Sequence, residues 1–185
     1  MKLEEAHKDR YKILLGGSTI AGKTTYFNSY FEKQFKEKLL TSTRMDYSLI
    51  KELNQNSFFL LDTTRWGGRF VQLIKIFLKD ADGVILMFDL SYKNDFDNLP
   101  NLLNMITEFH ELENFPVLLI GNRSDLDIEV DENEIKKFMD KENFVGYFEV
   151  SCKTHKNVEE SVDFMVNYIY KKKRKKFFVR KNFNV

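Results

Sequence analysis

The chain has 185 residues, 43% of them apolar and 31% charged, which is typical of one soluble domain with a sizeable core. Its single cysteine, Cys152, excludes an internal disulfide framework, and no apolar run approaches the ~20 residues of a membrane span. Net charge is +1, but residues 171–185 hold eight basic residues and no acidic one, which leaves −7 on residues 1–170. We therefore expect an acidic body and a basic C-terminal tail in a reducing compartment.

The first predicted elements are a strand, a glycine-rich turn and a helix. Residues 10–16 are mostly apolar, as in a buried strand, and aromatic residues at helical spacing predict a helix over about 22–33. The turn between them reads G-x-x-x-x-G-K-T, counted from Gly17. This order of elements is the context of a phosphate-binding loop, whereas the competing interpretation is an ordinary turn that happens to end in Lys-Thr.

The chemistry of such a loop explains its residue types. Gly17 and Gly22 let successive backbone amides wrap around an anion, and the following helix N-terminus adds partial positive charge. We predict that Lys23 lies between the β- and γ-phosphates and that the Thr24 hydroxyl ligates Mg²⁺. The other predicted nucleotide-binding residues of the loop are Ser18, Thr19, Ile20, Ala21 and Thr25.

The next segment predicts a hairpin that ends in a carboxylate. Residues 46–53 and 57–62 read as two strands with a turn at 54–56, and the second strand is an apolar run that ends at Asp62. An acidic residue at such a strand end, beside a phosphate-binding loop, is a predicted Mg²⁺ ligand. A helix over about 69–79 follows.

The second half alternates strands and helices. Apolar runs predict strands over 84–89, 117–120 and 147–150. A helix is predicted over 97–113, with Leu99, Leu102, Leu103, Ile106 and Phe109 on its buried face. Asp131 with Glu134, and Asn157 with Glu160, are predicted to cap two further helices, the first ending near residue 140. The final helix should bury Val158, Val162, Met165, Val166 and Ile169.

This alternation predicts an α/β fold, in which helices cover both faces of a mostly parallel sheet. Ligands bind such sheets beyond the carboxyl ends of the strands. Five candidate residues fall in those loops, and we expect them to share one crevice: Thr24, Asp62, Asn122, Asp125 and Ser151.

Over about residues 10–170 these motifs resemble the Ras superfamily of small GTPases, especially its Rab and Ras branches. The resemblance implies a P-loop NTPase fold, the G domain, with a six-stranded mostly parallel sheet and helices on both faces. It implies a G domain over residues 1–170, a basic tail over 171–185, and GTP or GDP bound with Mg²⁺.

Two later motifs carry the implied choice of guanine. The family's Asn-Lys-x-Asp motif is Asn122-Arg123-Ser124-Asp125 here, and the resemblance implies that Asp125 accepts hydrogen bonds from the guanine edge. Arg123 would stack over the base in place of lysine. The family's Ser-Ala-Lys loop is Ser151-Cys152-Lys153, and the Cys152 amide is implied to meet the guanine oxygen.

The alignment of this chain with the family's switch I segment leaves alternatives for two residues. Phe35 lies twelve residues after Lys23, where the family stacks a phenylalanine against guanine, although a core aromatic is an equal alternative. The threonine that ligates Mg²⁺ and contacts the γ-phosphate has three candidates. Counting back from Asp62 selects Thr43, and counting forward from Lys23 suits Thr41 or Ser42.

Switch II departs from the family. In place of Asp-x-x-Gly-Gln the chain reads Asp62-Thr-Thr-Arg65-Trp66-Gly67. Arg65 replaces the glycine that binds the γ-phosphate, unless an insertion lets Gly67 serve, and Trp66 stands near the missing glutamine. We expect tight nucleotide binding with slow hydrolysis, since water positioning is lost. Arg65 is a candidate catalytic arginine, with a solvated surface charge as the alternative.

The implied function is a GTP/GDP switch that binds effector and regulatory proteins, in signalling or vesicle trafficking. The alternative is a degenerate GTPase that holds nucleotide without hydrolysing it. An ATP-using P-loop enzyme is a third reading, against which Asp125 argues. We expect a cytoplasmic protein without a prenyl anchor, because the chain ends without a cysteine. Its basic tail could meet an anionic membrane, a solvated helix end being the alternative, and nucleic acid is not expected.

Overall fold

The computed structural model describes residues 9–32, 46–53, 56–62 and 71–182. Its centre is a six-stranded sheet with the order β2-β3-β1-β4-β5-β6. β2 pairs antiparallel with β3 at one edge, and every other neighbouring pair is parallel. The predicted α/β fold with a mostly parallel sheet is confirmed. The strands are β1 (Arg10–Gly17), β2 (Asp46–Leu53), β3 (Asn56–Asp62), β4 (Gly83–Asp89), β5 (Val117–Asn122) and β6 (Gly146–Glu149).

The central strands bury both of their faces. Every residue of β4 and β5 is buried, so these strands are apolar throughout rather than alternating. Successive residues of β1 enter different cores, with Ile13 and Leu15 in one and Leu14 in the other. The helices that cover the sheet are α1 (Lys23–Glu32), α2 (Val71–Lys79), α3 (Lys93–Asp97), α4 (Leu99–Thr107), α5 (Glu132–Glu142) and α6 (Val158–Asn182).

Each face has its own set of helices. Tyr26 and Phe27 of α1 pack with α6 on one face, and α6 contributes the five apolar residues that its spacing predicted. α2, α4 and α5 fill the other face, for example through Ile74, Leu102 and Ile135. Helices on both faces of the sheet are thus confirmed.

The predicted single helix over 97–113 is wrong. Only residues 99–107 of it form a helix, α4, and the short helix α3, which precedes it and ends at Asp97, was not predicted. Pro100 lies in the first turn of α4, where its missing N–H costs nothing, and the polypeptide therefore starts a new helix there. Leu99, Leu102, Leu103 and Ile106 are buried as predicted, but Phe109 lies beyond the helix and is 38% exposed.

Smaller differences concern element ends. Asn56 belongs to β3 rather than to the predicted turn, whose other two residues lie outside the described part of the chain. Asp131 caps α5 by accepting from the backbone of Asn133 and Glu134, but the Glu134 carboxylate pairs with Lys93 at 3.0 Å instead of completing the capping box. α6 begins directly after Asn157 and continues unbroken past residue 170 to Asn182. No helix within the described ranges is both long and apolar enough to span a membrane.

Candidate functional site

The glycine-rich turn between β1 and α1 has a backbone that only glycine adopts easily. Gly17 and Gly22 have φ values of +139° and +82°. A Cβ on Gly17 would lie 2.4 Å from the carbonyl oxygen of Met87, and one on Gly22 would lie 2.4 Å from Asn122 Nδ2. The turn therefore lies directly against β4 and the end of β5, and both glycines are needed for that close approach.

Lys23 opens α1 and folds back over the turn. Its side chain is buried, and its Nζ donates to the carbonyl oxygens of Gly17 at 3.1 Å and Ser18 at 2.5 Å. These contacts hold the ammonium over the turn at the helix N-terminus, where an anion is favoured. Such a position is suited to binding phosphate.

Thr24 and Asp62 come together although 38 residues separate them. The Thr24 hydroxyl donates to Asp62 Oδ2 at 2.6 Å, and Asp62 is fully buried at the end of β3, next to β1. A hydroxyl and a carboxylate are hard oxygen ligands of the type that Mg²⁺ prefers. The pair fits a Mg²⁺ ion whose other ligands come from phosphates and water. Among the described residues no group of three or more His, Cys, Asp and Glu side chains forms an all-protein metal site.

Asn122, at the end of β5, joins the two predicted binding loops. Its Nδ2 donates to the carbonyl of Ala21 at 3.0 Å, and its Oδ1 accepts from the Arg123 amide at 2.8 Å and from the Cys152 thiol at 3.3 Å. Burial raises the pKa of the Cys152 thiol to about 12, so it stays a neutral donor. One buried amide thus fixes the phosphate loop relative to the loops after β5 and β6.

Arg123 follows with a left-handed backbone, φ +65°. Its guanidinium pairs with the buried carboxylate of Asp89 at 2.7 Å and donates to the carbonyl of Ile20 at 3.4 Å. The side chain therefore spans from the end of β4 to the phosphate loop. Its half-exposed guanidinium is held along the crevice, as a residue that flanks a base requires.

Asp125 is an exposed carboxylate in the loop after β5. Its Oδ1 accepts from the buried Ser151 hydroxyl at 2.5 Å, and the same hydroxyl accepts from the Thr154 amide at 3.1 Å. Ser151 therefore orients the exposed Asp125 side chain. An oriented carboxylate beside backbone amides can accept from the N–H groups of a purine edge. Lys153 is exposed at the same loop.

The structure thus brings most of the predicted site to one edge of the sheet. Thr19 and Ile20 are exposed on the outer side of the phosphate loop, Ala21 is buried beneath it, and Thr25 is half-buried in the first turn of α1. Several predicted residues lie outside the described part of the chain, and their positions stay predictions: Phe35, Thr41, Ser42, Thr43, Arg65, Trp66 and Gly67.

Three residues that make contacts around the candidate site were not predicted from the sequence. Asp89 pairs with Arg123, and its position at the end of an apolar strand, like that of Asp62, was the available signal. Asp95 is a buried carboxylate that accepts from the Asp89 amide at 2.8 Å, and the sequence gives no signal for it. Ser29 of α1 bonds to His155 Nδ1 at 2.9 Å, which ties the loop after β6 to α1.

Comparison with known proteins agrees with this geometry. The model of the Ras family matches residues 12–171. The chain is similar to Ras-related protein Rab-27B of Rattus norvegicus, at 30% identity over 89% of this chain and 81% of the relative. It is also similar to Ras-related protein Rab-32 of Homo sapiens, at 26% identity over 89% and 77%. Ras-related protein RABG3f of Arabidopsis thaliana shares 32% identity over 81% and 77%.

The family match covers more than half of the chain, and a loop for phosphate, an oxygen pair for Mg²⁺ and an oriented carboxylate all lie along one edge of the sheet. The chain belongs to the Ras family and is a Rab-like small GTPase.

Proposed function

We propose that this protein is a guanine-nucleotide switch that binds GTP or GDP with Mg²⁺ and hydrolyses GTP slowly. The observation that carries the proposal is the contact network of Asn122, which holds the phosphate loop and both base-reading loops in one arrangement. Asp125, oriented by Ser151, is the group that selects guanine over adenine in this proposal. An ATP-using enzyme would not place an acceptor-only side chain there.

In this proposal the chain's residues have distinct roles. The backbone amides of the loop and Lys23 bind the phosphates, while Asp125, the Cys152 amide, Arg123 and Lys153 bind the base. Thr24 and Asp62 hold Mg²⁺, which when bound neutralises charge on the β- and γ-phosphates. From switch I we propose Phe35 against the base and Thr43 as the residue that senses the γ-phosphate. A bound γ-phosphate would order the switch segments and create a surface for effector and regulatory proteins.

Slow hydrolysis is proposed from sequence alone. The glycine and glutamine of the family's switch II are replaced by Arg65 and Trp66, so no amide side chain stands where the attacking water is oriented. Water orientation contributes orders of magnitude to the rate, whereas the phosphate loop retains its binding groups. Arg65 is proposed as a group near the γ-phosphate.

The first experiment identifies the bound nucleotide. Protein purified in Mg²⁺ buffer is denatured, and the released small molecules are separated by ion-exchange chromatography. We expect GDP or GTP in close to stoichiometric amount. Adenine nucleotide, or protein that takes up neither GDP nor GTP when they are supplied, would refute the proposal.

A second experiment separates a slow enzyme from a nucleotide-holding module, which the altered switch II also favours. Protein loaded with radiolabelled GTP is followed in a single turnover for hours beside GTP in buffer alone. We expect GDP to accumulate faster than in buffer, and Arg65→Ala should slow it further. Hydrolysis at the buffer rate would leave a binding module without enzymatic function.

We further propose a peripheral contact of the basic segment with anionic lipid. In α6 the side chains of Lys171, Lys173 and Arg174 are exposed, on a helix that continues to Asn182. Clustered basic residues on one helix are attracted to anionic headgroups by about 1 kcal/mol each.

A further inference from the structure

Ser29 is a buried serine in α1, the helix that begins at Lys23, and only 2% of its surface is exposed. Its hydroxyl contacts the Cys152 carbonyl oxygen at 3.3 Å and His155 Nδ1 at 2.9 Å. A helical serine often bonds back to a carbonyl of its own helix, whereas these two partners lie 123 and 126 residues away. Ser29 thus connects α1 to the loop after β6.

The two contacts of Ser29 fix the direction of its proton. The hydroxyl has a single hydrogen, which it donates to the Cys152 carbonyl. Both contacts are hydrogen bonds only if His155 Nδ1 carries a hydrogen and donates it to the Ser29 oxygen. With the opposite assignment Ser29 would donate to the ring, and the Cys152 carbonyl would lose this donor. His155 therefore orients the Ser29 hydroxyl toward Cys152.

Cys152 is held at two atoms by two different elements. Its carbonyl accepts from Ser29 of α1, and its thiol donates at 3.3 Å to Asn122 Oδ1, at the end of β5. The loop itself is closed by the Ser151 amide, which donates to the Lys156 carbonyl at 3.2 Å. These contacts restrict where the backbone amide of Cys152 can lie, and that amide is the group proposed above to bind the base.

We propose that Ser29 is a positioning residue for guanine, which acts by holding the Cys152 amide where the guanine oxygen arrives. The proposal rests on the proposed guanine site and extends it. An amide that is fixed before the base binds loses less conformational freedom on binding, so its hydrogen bond contributes more to affinity. Because Lys23 and Ser29 lie on the same helix, α1 links the phosphate end of the site to the base end.

The test compares GDP with thioguanosine diphosphate, in which sulfur replaces the guanine oxygen and accepts hydrogen bonds weakly. Dissociation constants of full-length protein are measured by competition with a fluorescent GDP. Ser29→Ala should weaken GDP binding about fivefold, the usual effect of one lost hydrogen bond, and should weaken binding of the thio analogue less than about twofold. Ser57→Ala is the matched control and should change neither constant. It removes a buried hydroxyl, bonded to Glu52 at 3.3 Å, from the opposite end of the sheet.

His155 offers a second readout, which is rescue by a conservative variant. Its backbone is left-handed, with φ +62°, so His155→Gly removes the ring without adding strain and should weaken GDP binding as Ser29→Ala does. Asparagine tolerates the same backbone and places an amide near the position of Nδ1, so His155→Asn should restore most of the affinity. The double variant Ser29→Ala with His155→Gly should bind no more weakly than Ser29→Ala, because His155 acts through Ser29.

Unchanged GDP affinity in Ser29→Ala, or additive losses in the double variant, would overturn the role of Ser29. An equal loss for GDP and the thio analogue would also overturn it, since Ser29 would then only support α1. Wild type that binds both nucleotides equally well would remove the contact of the Cys152 amide with the guanine oxygen, and this role with it. Failure of wild type and every variant to bind GDP would instead refute the proposed function as a whole.

Discussion

A single side chain of this protein makes contacts in three loops. Asn122 donates to Ala21 in the phosphate loop and accepts from Arg123 and Cys152 in the two loops beyond. Each partner is a backbone or buried group whose hydrogen bond would be costly to leave unmade. The relative position of these three loops is therefore determined by one buried amide, and we expect residues around it to be sensitive to small changes.

Gly22 is one such residue. Gly22→Ala should lower GDP affinity by about tenfold or more, because its φ is +82° and the new Cβ would displace the Asn122 amide. Fluorescent GDP titration measures the effect. Gly146→Ala is the control, since its Cβ meets the Phe164 ring at 3.1 Å, away from the site. Equal losses in both variants would mean that the effect is only one of folding.

Asp125 is expected to determine the choice of base. Asp125→Asn should lower GTP affinity by about a hundredfold or more and improve xanthine nucleotide binding, because an acceptor is exchanged for a donor. Competition with GTP, xanthosine triphosphate and ATP measures this. Asp127→Asn removes an exposed carboxylate from the same loop and should leave selectivity intact. Unchanged GTP affinity in Asp125→Asn would refute the assignment.

Helices α1 and α6 are joined by a buried hydrogen bond. Tyr26 is fully buried, and its hydroxyl lies 2.7 Å from Ser161 Oγ, whose proton is within reach of the carbonyl oxygens of Asn157 and Val158 at the start of α6. Burial raises the pKa of Tyr26, so its hydroxyl remains protonated. Because α1 begins at Lys23, this contact helps to hold Lys23 in place.

Tyr26→Phe should therefore lower the free energy of unfolding by about 1 kcal/mol, the usual net value of a buried hydrogen bond. Urea denaturation of nucleotide-free protein measures it. Tyr30→Phe in the same helix is the control, because the Tyr30 hydroxyl makes only a 3.4 Å contact to Ile50 and is half-buried. A larger loss from Tyr30→Phe would contradict this ranking.

For the molecule as a whole, the dominant feature is the separation of charge. Residues 171–185 carry +8 and the rest −7, so the chain is nearly neutral but strongly polarised. Parts of the basic segment contact the body, as in the pair of Lys173 with Asp82 at 2.6 Å. Lys171 and Arg174 are exposed on the same helix.

We expect the protein to cosediment with vesicles that contain phosphatidylserine, but not with phosphatidylcholine alone, and to dissociate as salt rises. Replacement of the six basic residues at 171–176 by glutamine should abolish binding. Lys136→Gln with Lys137→Gln, exposed on α5, serves as control. Equal binding to neutral vesicles, or none to anionic ones, would contradict the proposed lipid contact.

Much of the fold and site could be predicted from local sequence. Fully apolar runs specify buried strands, and the glycine spacing before Lys23 is typical of one backbone conformation. The order of strands and helices along the chain, and the phosphate loop, could therefore be predicted. The end of α4 at Thr107 was missed because apolar spacing continues to Phe109, and α3, with five residues, is too short to show a helical period. Phe109 was misplaced for the same reason.

The sequence by itself determined the set of helices and strands and the residues at their ends. This is because hydrophobic periodicity and the residue types of turns depend on neighbouring residues only. Only the tertiary structure decided which of those ends meet. The pairing of Thr24 with Asp62 and of Arg123 with Asp89 follows from which strands are neighbours in the sheet. Parallel neighbours bring distant residues to one edge, and no local pattern records that choice.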